Sequence, residues 1–220
     1  RDARLKHRGR RANSVLQNVA FRDELQMNFA PSDLNPEKDL PKGFYDFVLP
    51  LHKQFTPWQQ KLAAKRGEVL EKSHGGHPPN YLPGSEATTS DWRIEVPDWC
   101  SDQRNQMTGP ADDAELTVKL LNSGSPAVMI DLEDSTANRW ENILLAVKNT
   151  IAAYKYELSY DDKKRGKKVT VQRSKTVTWV RPRGLHISQG GVMKDGIMSA
   201  SLFDLALIWY QIDPATLPHN

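Results

Sequence analysis

Residues 127–132 read AVMIDL, and this short apolar run decides the fold. It lies between a proline and a cluster of acidic residues, and an uninterrupted apolar run of this length is typical of a strand buried on both faces of a parallel sheet. Residues 138–154 follow with apolar side chains at helical spacing, and residues 176–180 (TVTWV) are rich in β-branched and aromatic side chains. A strand, a helix and a second strand in this order predict a parallel α/β unit with a right-handed crossover.

Further helices are predicted on both sides of this unit. Apolar residues recur at helical spacing from Tyr45 to Phe55, and Pro57 marks the start of an amphipathic helix over residues 57–72. The other predicted elements are a short helix within residues 14–26, loops over residues 73–110, a short helix over residues 111–123 that ends before Gly124, and an apolar helix over residues 199–211.

The charge of the chain is concentrated in two places. The 220 residues are 38% hydrophobic and 26% charged, which is the range of globular proteins. The net charge of +3 contains a surplus of five positive charges in residues 1–11 and another five in residues 161–175, so the rest of the chain carries a net charge of −7. Because the basic residues are confined to a tail and to a hairpin or loop, we expect no nucleic-acid partner. No apolar run approaches the roughly 20 residues of a membrane span, so no membrane partner is expected either.

Charged side chains stand at the ends of the two predicted strands, where parallel α/β folds place their active groups. Strand alternation puts Asp131 and Glu133 on one side, with Asp134 beside them, and Arg181 ends the second strand. Two carboxylates directed at one point need a divalent cation, water or a basic group, and an arginine opposite them can clamp a small carboxylate or oxyanion. The strand ends therefore predict hard-cation chemistry on a small, oxygen-rich acid.

The same spacing also has a purely structural interpretation. Arg183 is predicted on the same side as Arg181 and lies three residues before His186 in the sequence. The two carboxylates can then pair with the two arginines in an ion-pair network between strands, or cap a helix that begins at residues 135–138. Spacing alone leaves both interpretations open.

The remaining candidates for a site are weaker. His74 and His77 are three residues apart in a Gly/Pro-rich loop without a third ligand nearby, so a metal site is not favoured there. Trp92, Trp99 and Trp140 are expected to belong to the core. The single cysteine excludes an intrachain disulfide and fits a reducing compartment.

Four motifs in order resemble the malate synthase family of the A type. Residues 121–144 (LNSGSPAVMIDLEDSTANRWENIL) and 177–186 (VTWVRPRGLH) are similar to its acidic motif and its arginine motif. Residues 92–112 (WRIEVPDWCSDQRNQMTGPAD) and 199–211 (SASLFDLALIWYQ) resemble two further segments of that family. The resemblance therefore extends from about residue 43 to the end of the sequence.

The resemblance implies a magnesium-dependent Claisen condensation of the glyoxylate cycle, in which acetyl-CoA and glyoxylate give malate and CoA. It implies that Arg181, the first arginine of the R-x-R-G motif, stabilises the enolate of acetyl-CoA and binds the glyoxylate oxygen. Asp131 and Glu133, in the D-x-E-D motif, would hold water molecules bound to magnesium. In the family the direct magnesium ligands and the catalytic aspartate come from later segments. We therefore expect an N-terminal part that is inactive in isolation and whose partner is the remainder of the malate synthase chain.

The family fold that the resemblance implies is an N-terminal helical clasp followed by a TIM (β/α)8 barrel. A closed barrel needs roughly 250 residues, so we expect an α/β chain with the clasp and only the first βα units of the barrel. The expected division is a polar and basic tail over residues 1–42, the clasp with loops over residues 43–125, and the start of the barrel over residues 126–220.

Two alternatives to this function are kept. One is a barrel enzyme similar to citryl- or malyl-CoA lyases, and the other is a non-catalytic structural or binding subunit derived from malate synthase. A cytoplasmic or a peroxisomal or glyoxysomal location is expected, and import into another organelle is left open. The sequence does not define an oligomeric state.

Overall fold

The structure is a computed structural model that describes residues 27–29, 36–193, 196–218 and 220. Short 3₁₀ helices lie at Asp98–Cys100 and Pro214–Thr216. The strands are β1 (Met27–Phe29), β2 (Gln106–Pro110), β3 (Ala127–Asp131), β4 (Ser159–Asp162), β5 (Lys167–Thr170), β6 (Val177–Arg181), β7 (Ser188–Met193) and β8 (Gly196–Ser199). The helices are α1 (Pro36–Asp39), α2 (Phe44–His74), α3 (Glu86–Thr89), α4 (Ala114–Leu121), α5 (Trp140–Tyr154) and α6 (Ala200–Gln211).

A three-stranded parallel sheet with the order β2-β3-β6 positions the candidate site. In its register Met129 pairs with Thr108 on one side and with Trp179 on the other. The helix α4 connects β2 to β3, and α5 with the hairpin β4-β5 connects β3 to β6. Because all three strands are parallel, their carboxyl ends lie at one edge of the sheet.

Two smaller sheets flank the central one. In the first, β7 pairs with β1 in parallel and with β8 in antiparallel. In the second, β4 and β5 form an antiparallel hairpin, so the basic segment of residues 161–175 contains a hairpin, in agreement with one of the two forms expected for it. The side chain of Asn122 anchors this hairpin to the end of α4, since its amide donates to the carbonyl of Thr170 and its oxygen accepts from the backbone of Gln172.

The hydrophobic core is one cluster of side chains from the central sheet, the helices α2, α4, α5 and α6, and the strands β7 and β8. Val128 and Ile130 of β3 are buried, as are the inward side chains of α5, which include Ile143. Phe44 at the start of α2 packs edge-on against Phe203 of α6, with ring centroids 6.1 Å apart. This contact buries apolar surface between the two helices, at a gain of about 25 cal/mol per Å² of apolar surface.

The strands and helices that decide the fold are confirmed. The predicted strands at residues 127–132 and 176–180 correspond to β3 and β6, and the predicted helices at residues 138–154 and 199–211 correspond to α5 and α6. The predicted short helix within residues 14–26 lies outside the described residues.

The loop predicted over residues 73–110 is wrong at its end, because Gln106–Pro110 is the strand β2. Its sequence QMTGP contains a single apolar side chain, Met107, and ends in the residues Gly109 and Pro110, which indicate a turn when read alone. The strand forms because its backbone pairs with β3, and among the described residues β2 is an edge of the sheet. An edge position tolerates proline and exposed polar side chains.

Pro57 does not begin a helix, since α2 runs continuously through both Pro50 and Pro57. A proline inside a helix removes one hydrogen bond and costs about 3 kcal/mol. Tertiary contacts on either side of Pro57 offset that cost. Thr56 accepts a hydrogen bond from the backbone of Ser199, and Gln59 donates to the carbonyl of Leu185.

The observed fold class is mixed α/β with a parallel sheet, as expected, and the described residues do not form a closed barrel. The division at residues 42 and 125 remains a prediction. None of the helices among the described residues combines the length and the apolar character that crossing a membrane requires.

Candidate anion-binding site at the strand ends

The site begins where β3 and β6 end side by side. Their register pairs Asp131, the last residue of β3, with Arg181, the last residue of β6. Arg181 donates from Nε to Asp131 Oδ1 at 2.8 Å and from Nη2 to Asp131 Oδ2 at 2.6 Å. This two-pronged contact fixes the plane of the guanidinium as well as its position.

The carboxylate of Asp131 is fully buried, and both of its oxygens accept hydrogen bonds. Besides Arg181, it accepts hydrogen bonds from the backbone of Glu133 at 2.9 Å and from the backbone and the hydroxyl of Ser135 at 2.9 and 2.7 Å. Burial would raise the pKa of Asp131, but the hydrogen bonds from Arg181, Ser135 and Glu133 outweigh burial and lower the pKa to about 2. The group is therefore an anion at neutral pH.

The outer arm of Arg181 faces two further carboxylates. Its Nη1 lies 2.8 Å from Asp134 and 3.8 Å from Glu133. The side chain of Arg181 is 33% exposed and that of Asp134 is 73% exposed, so this arm meets solvent. The hydrogen bonds to Asp131 raise the pKa of Arg181 from its ordinary value, against the opposing effect of burial. The guanidinium stays charged and presents one arm outward.

A tight wall closes one side of the site. Glu133 Oε1 lies 3.8 Å from Nε2 of His186, a residue of the loop after β6. The backbone of Gly184 passes so close that a Cβ there would lie 2.3 Å from Glu133 Oε1 and 2.6 Å from the His186 ring. Only glycine fits between these two side chains without a displacement.

Arg183 lies outside the site, and the prediction that it shares a side with Arg181 is wrong. Its side chain is buried and contacts Asp204 of α6, with Nη2 2.6 Å from Oδ1, while Nη1 reaches Asn138 at 3.0 Å and Gln189 at 2.9 Å. Strand alternation fails here because β6 ends at Arg181, so the backbone of residues 182 and 183 is no longer that of a strand.

Sequence reasoning missed Asp204 as the partner of Arg183. A signal for it existed, because Asp204 is the single acid in the apolar helix sequence ASLFDLALIWYQ. A buried carboxylate in such a helix needs a cationic partner. The ion-pair interpretation is therefore correct for Asp131 with Arg181 and wrong for Arg183.

The predictions for helix capping and for the tryptophans are also partly correct and partly wrong. Capping of a helix at residues 135–138 is wrong, because α5 begins at Trp140 and Arg139 occupies its N-cap without a side-chain hydrogen bond. Trp140 is buried as expected, whereas Trp92 and Trp99 are 56% and 47% exposed.

The residues present do not fit a direct magnesium site. Both oxygens of Asp131 already accept hydrogen bonds from Arg181, Ser135 and Glu133, which leaves no free lone pair for a cation. Within the part of the chain that the structure describes, no group of three or more His, Cys, Asp or Glu side chains is placed to hold a metal ion. Glu133 is different, because its ion-pair distances of 3.8 Å leave its oxygens able to accept from water.

Two cavities lie along β6, away from this site. One of about 210 Å³ is lined by Trp99, Tyr156 and Thr176, among others, and one of about 260 Å³ by Leu205 and Trp209 of α6, among others. Neither is lined by Asp131, Glu133 or Arg181. The charged side chains that can act on an anion are thus at the strand ends and not in these cavities.

The known proteins similar to this chain include several malate synthases, although no protein-family model matches it. The chain is 32% identical over 177 residues to "Malate synthase" of Dictyostelium discoideum, covering 78% of this chain and 32% of that protein. It is 29% identical over 188 residues to "Malate synthase" of Streptomyces clavuligerus, covering 82% and 35%. It is 28% identical over 159 residues to "Malate synthase, glyoxysomal" of Zea mays, covering 71% and 28%. The chain thus spans about a third of the length of these relatives.

Proposed function

Because this chain belongs to the malate synthase family as a partial region of its members, we propose that it serves the condensation of acetyl-CoA with glyoxylate to malate and CoA. In this reaction Arg181 binds the glyoxylate oxygen and stabilises the enolate of acetyl-CoA. The observation that supports this assignment is the geometry of Arg181. Asp131 holds two arms of the guanidinium, and the third arm points outward to the exposed Asp134.

The outward arm of Arg181 suits exchange of one anion for another. Its partner Asp134 is largely exposed, and such ion pairs contribute little to stability because water and salt screen them. A small carboxylate or an aldehyde oxygen can therefore replace Asp134 at Nη1 at low cost. Asp131 meanwhile keeps the guanidinium in place, since its carboxylate is buried and ionised.

The condensation develops negative charge beside this guanidinium. Loss of a proton from the methyl group of acetyl-CoA gives an enolate, whose oxygen a fixed cation stabilises. The methyl carbon then bonds to the aldehyde carbon of glyoxylate, and the aldehyde oxygen takes a proton to become the malate hydroxyl. Water cleaves the thioester and releases the CoA thiol. Arg181 serves both oxygens that gain charge, and the base that takes the methyl proton is proposed to lie outside these 220 residues.

Magnesium dependence belongs to the same proposal. The direct ligands are proposed to lie outside the 220 residues, and Glu133 contacts the ion through water. Asp131 is proposed to orient Arg181, and the role that it was expected to share with Glu133 stays a prediction.

The finer points of fold and location are proposals as well. We place the central sheet among the first βα units of a TIM barrel and α2 in an N-terminal clasp, with the remainder of a malate synthase chain as the partner. The relative from Zea mays is named glyoxysomal, which supports a glyoxysomal or cytoplasmic location.

One observation favours a second candidate, the non-catalytic subunit. Arg181 already faces three carboxylates, those of Asp131, Glu133 and Asp134, so its single positive charge is more than balanced without a substrate. In that case the strand ends are a structural ion-pair network that binds no small anion.

Isothermal titration calorimetry with glyoxylate separates these candidates on the chain as it is. We expect weak binding by the wild-type chain, loss of binding in Arg181→Ala, and unchanged binding in the control Arg104→Ala. The control suits the comparison because Arg104 forms the same two-pronged contact with Asp102, but at an exposed position. Equal binding by the wild-type chain and Arg181→Ala would show that the assignment of Arg181 is wrong.

The identity of the reaction has its own assay. With the complete protein, of which these 220 residues are proposed to be a part, release of free CoA thiol only when acetyl-CoA, glyoxylate and magnesium are all present identifies the condensation. Cleavage of citryl- or malyl-CoA without free thiol identifies the lyase instead. We expect the isolated 220 residues to release no thiol under either condition.

A further inference from the structure

The beginning of α6 holds the backbone of Arg183 from both sides. The hydroxyl of Ser201 donates to the carbonyl of Arg183, and the backbone N–H of Arg183 donates to Asp204 Oδ2 at 2.9 Å. Ser201 and Asp204 are three residues apart, so they lie on one face of the helix. We call this pair of contacts the α6 clamp.

Stability alone does not account for this arrangement. Asp204 also binds the Arg183 guanidinium, with Nη2 2.6 Å from Oδ1 and Nε 3.0 Å from Oδ2, and both side chains are 0% exposed. Burial raises the pKa of Asp204, and the charge and hydrogen bonds of Arg183 oppose that rise. Replacing a buried ion pair with apolar residues of similar volume is often neutral or stabilising. A polar clamp at this place therefore suggests a positional role.

The α6 clamp acts on the loop that closes the anion-binding site. Arg183 is followed directly by Gly184, whose backbone lies against Glu133 and His186. The same loop is tied at a second point, where Gln59 donates to the carbonyl of Leu185 at 2.8 Å. A shift of the Arg183 peptide would thus move the wall of the site next to the outer arm of Arg181.

We propose that Ser201 and Asp204 are positioning residues of the anion-binding site. They hold the Arg183 peptide so that Gly184 and His186 stay packed on Glu133, beside the Nη1 arm of Arg181. The inference rests on the proposed function only in treating Arg181 as the group that binds glyoxylate.

The test combines a structural signature with a binding measurement. Two measurements compare the wild-type chain with Ser201→Ala, Ser201→Thr and Asp204→Asn. The first is the NMR cross-peaks of the His186 ring, which are assigned with the variant His186→Asn. The second is calorimetric titration with glyoxylate. In Ser201→Ala we expect the His186 cross-peaks to move and the glyoxylate Kd to rise roughly three- to tenfold, which is the range of one lost hydrogen bond. Ser201→Thr keeps the hydroxyl and should restore both readouts. Asp204→Asn leaves the buried Arg183 guanidinium without its counter-ion and turns an amide group towards its donors, so it should move the cross-peaks at least as far as Ser201→Ala.

Two controls separate positioning from general destabilisation. Ser101→Ala removes the same kind of hydroxyl-to-carbonyl bond, to Asp98, at an exposed and distant place. Val118→Ala opens a cavity at a fully buried position of α4 and lowers the melting temperature without touching the loop. Neither should move the His186 cross-peaks.

The outcomes keep the two proposals apart. Unmoved His186 cross-peaks in Ser201→Ala, or an equal movement in Val118→Ala, overturn the positioning role. A wild-type chain that does not bind glyoxylate refutes the proposed function for this chain, while the response of the His186 cross-peaks to Ser201→Ala still decides the positioning role.

Discussion

Replacing Asp131 with asparagine should destabilise the protein by an amount that depends on pH. The pKa of Asp131 falls from 3.8 to about 2 on folding, and at 1.36 kcal/mol per pKa unit this corresponds to about 2 kcal/mol. The lowered pKa means that the unfolded chain binds more protons between these two values. The contribution of the carboxylate to stability is therefore complete above pH 4 and is lost as the pH falls towards 2.

Asparagine suits this test because it keeps the shape of the side chain. It has one acceptor oxygen, whereas the carboxylate of Asp131 accepts from Arg181, Ser135 and the backbone of Glu133 with two. The amide group of asparagine would then face donors. We expect a loss of about 2 kcal/mol or slightly more at pH 7.

Urea unfolding followed by tryptophan fluorescence at several pH values from 2 to 7 measures this effect. The difference between the wild-type chain and Asp131→Asn should be constant from pH 7 to pH 5 and shrink towards pH 2. Asp102→Asn is the matched control, since Asp102 makes a similar two-pronged contact with Arg104 in an exposed position and should leave the unfolding midpoint unchanged. A difference that does not vary with pH, or one equal to that of the control, would refute the reasoning.

Three further substitutions test local packing and helix formation. Gly184→Ala should lower the free energy of unfolding by about 1–3 kcal/mol, because its Cβ would lie 2.3 Å from Glu133 Oε1 and 2.6 Å from the His186 ring; an unchanged melting temperature contradicts this. Gly67→Ala, in the interior of α2 with no atom within 4 Å of the new Cβ, should stabilise that helix by up to about 1 kcal/mol and thereby slow its amide hydrogen exchange; faster exchange would count against it. Asp113→Ala removes the N-cap of α4, whose side chain accepts from the backbone at 2.9 Å, and should cost about 1 kcal/mol in urea unfolding, whereas Asp113→Asn should restore the stability.

The sequence predicts the parts of the fold whose local pattern agrees with their final environment. The apolar run at residues 127–132 and the helical spacing at residues 138–154 match buried elements, so β3 and α5 are found within two residues at each end. β2 is missed because an edge strand is stabilised by its neighbour and not by its own composition. The continuity of α2 through Pro57 is missed for a related reason, since contacts distant in sequence hold the helix together there.

In the candidate site, too, the sequence predicts what depends on local pattern and misses what depends on distant contacts. Asp131 and Arg181 could be placed together because both end a strand in one parallel sheet. Arg183 was expected on the same side as Arg181, but the strand alternation on which this depended stops two residues earlier. Its partner Asp204 lies in the helix α6, 21 residues later in the sequence. The roles assigned to Asp131, Glu133 and Arg181 remain predictions.

The pairing of Asp131 with Arg181 has a consequence for how the sheet assembles. Successive residues of a strand point to opposite faces, so a slip of β3 by one residue would turn the Asp131 side chain away from Arg181. A buried carboxylate without its cation costs several kcal/mol. A shifted register of β3 and β6 is therefore less stable than the observed one, because it separates the two charges of the ion pair. The two side chains that meet at the strand ends thus also give the parallel sheet a single favoured alignment.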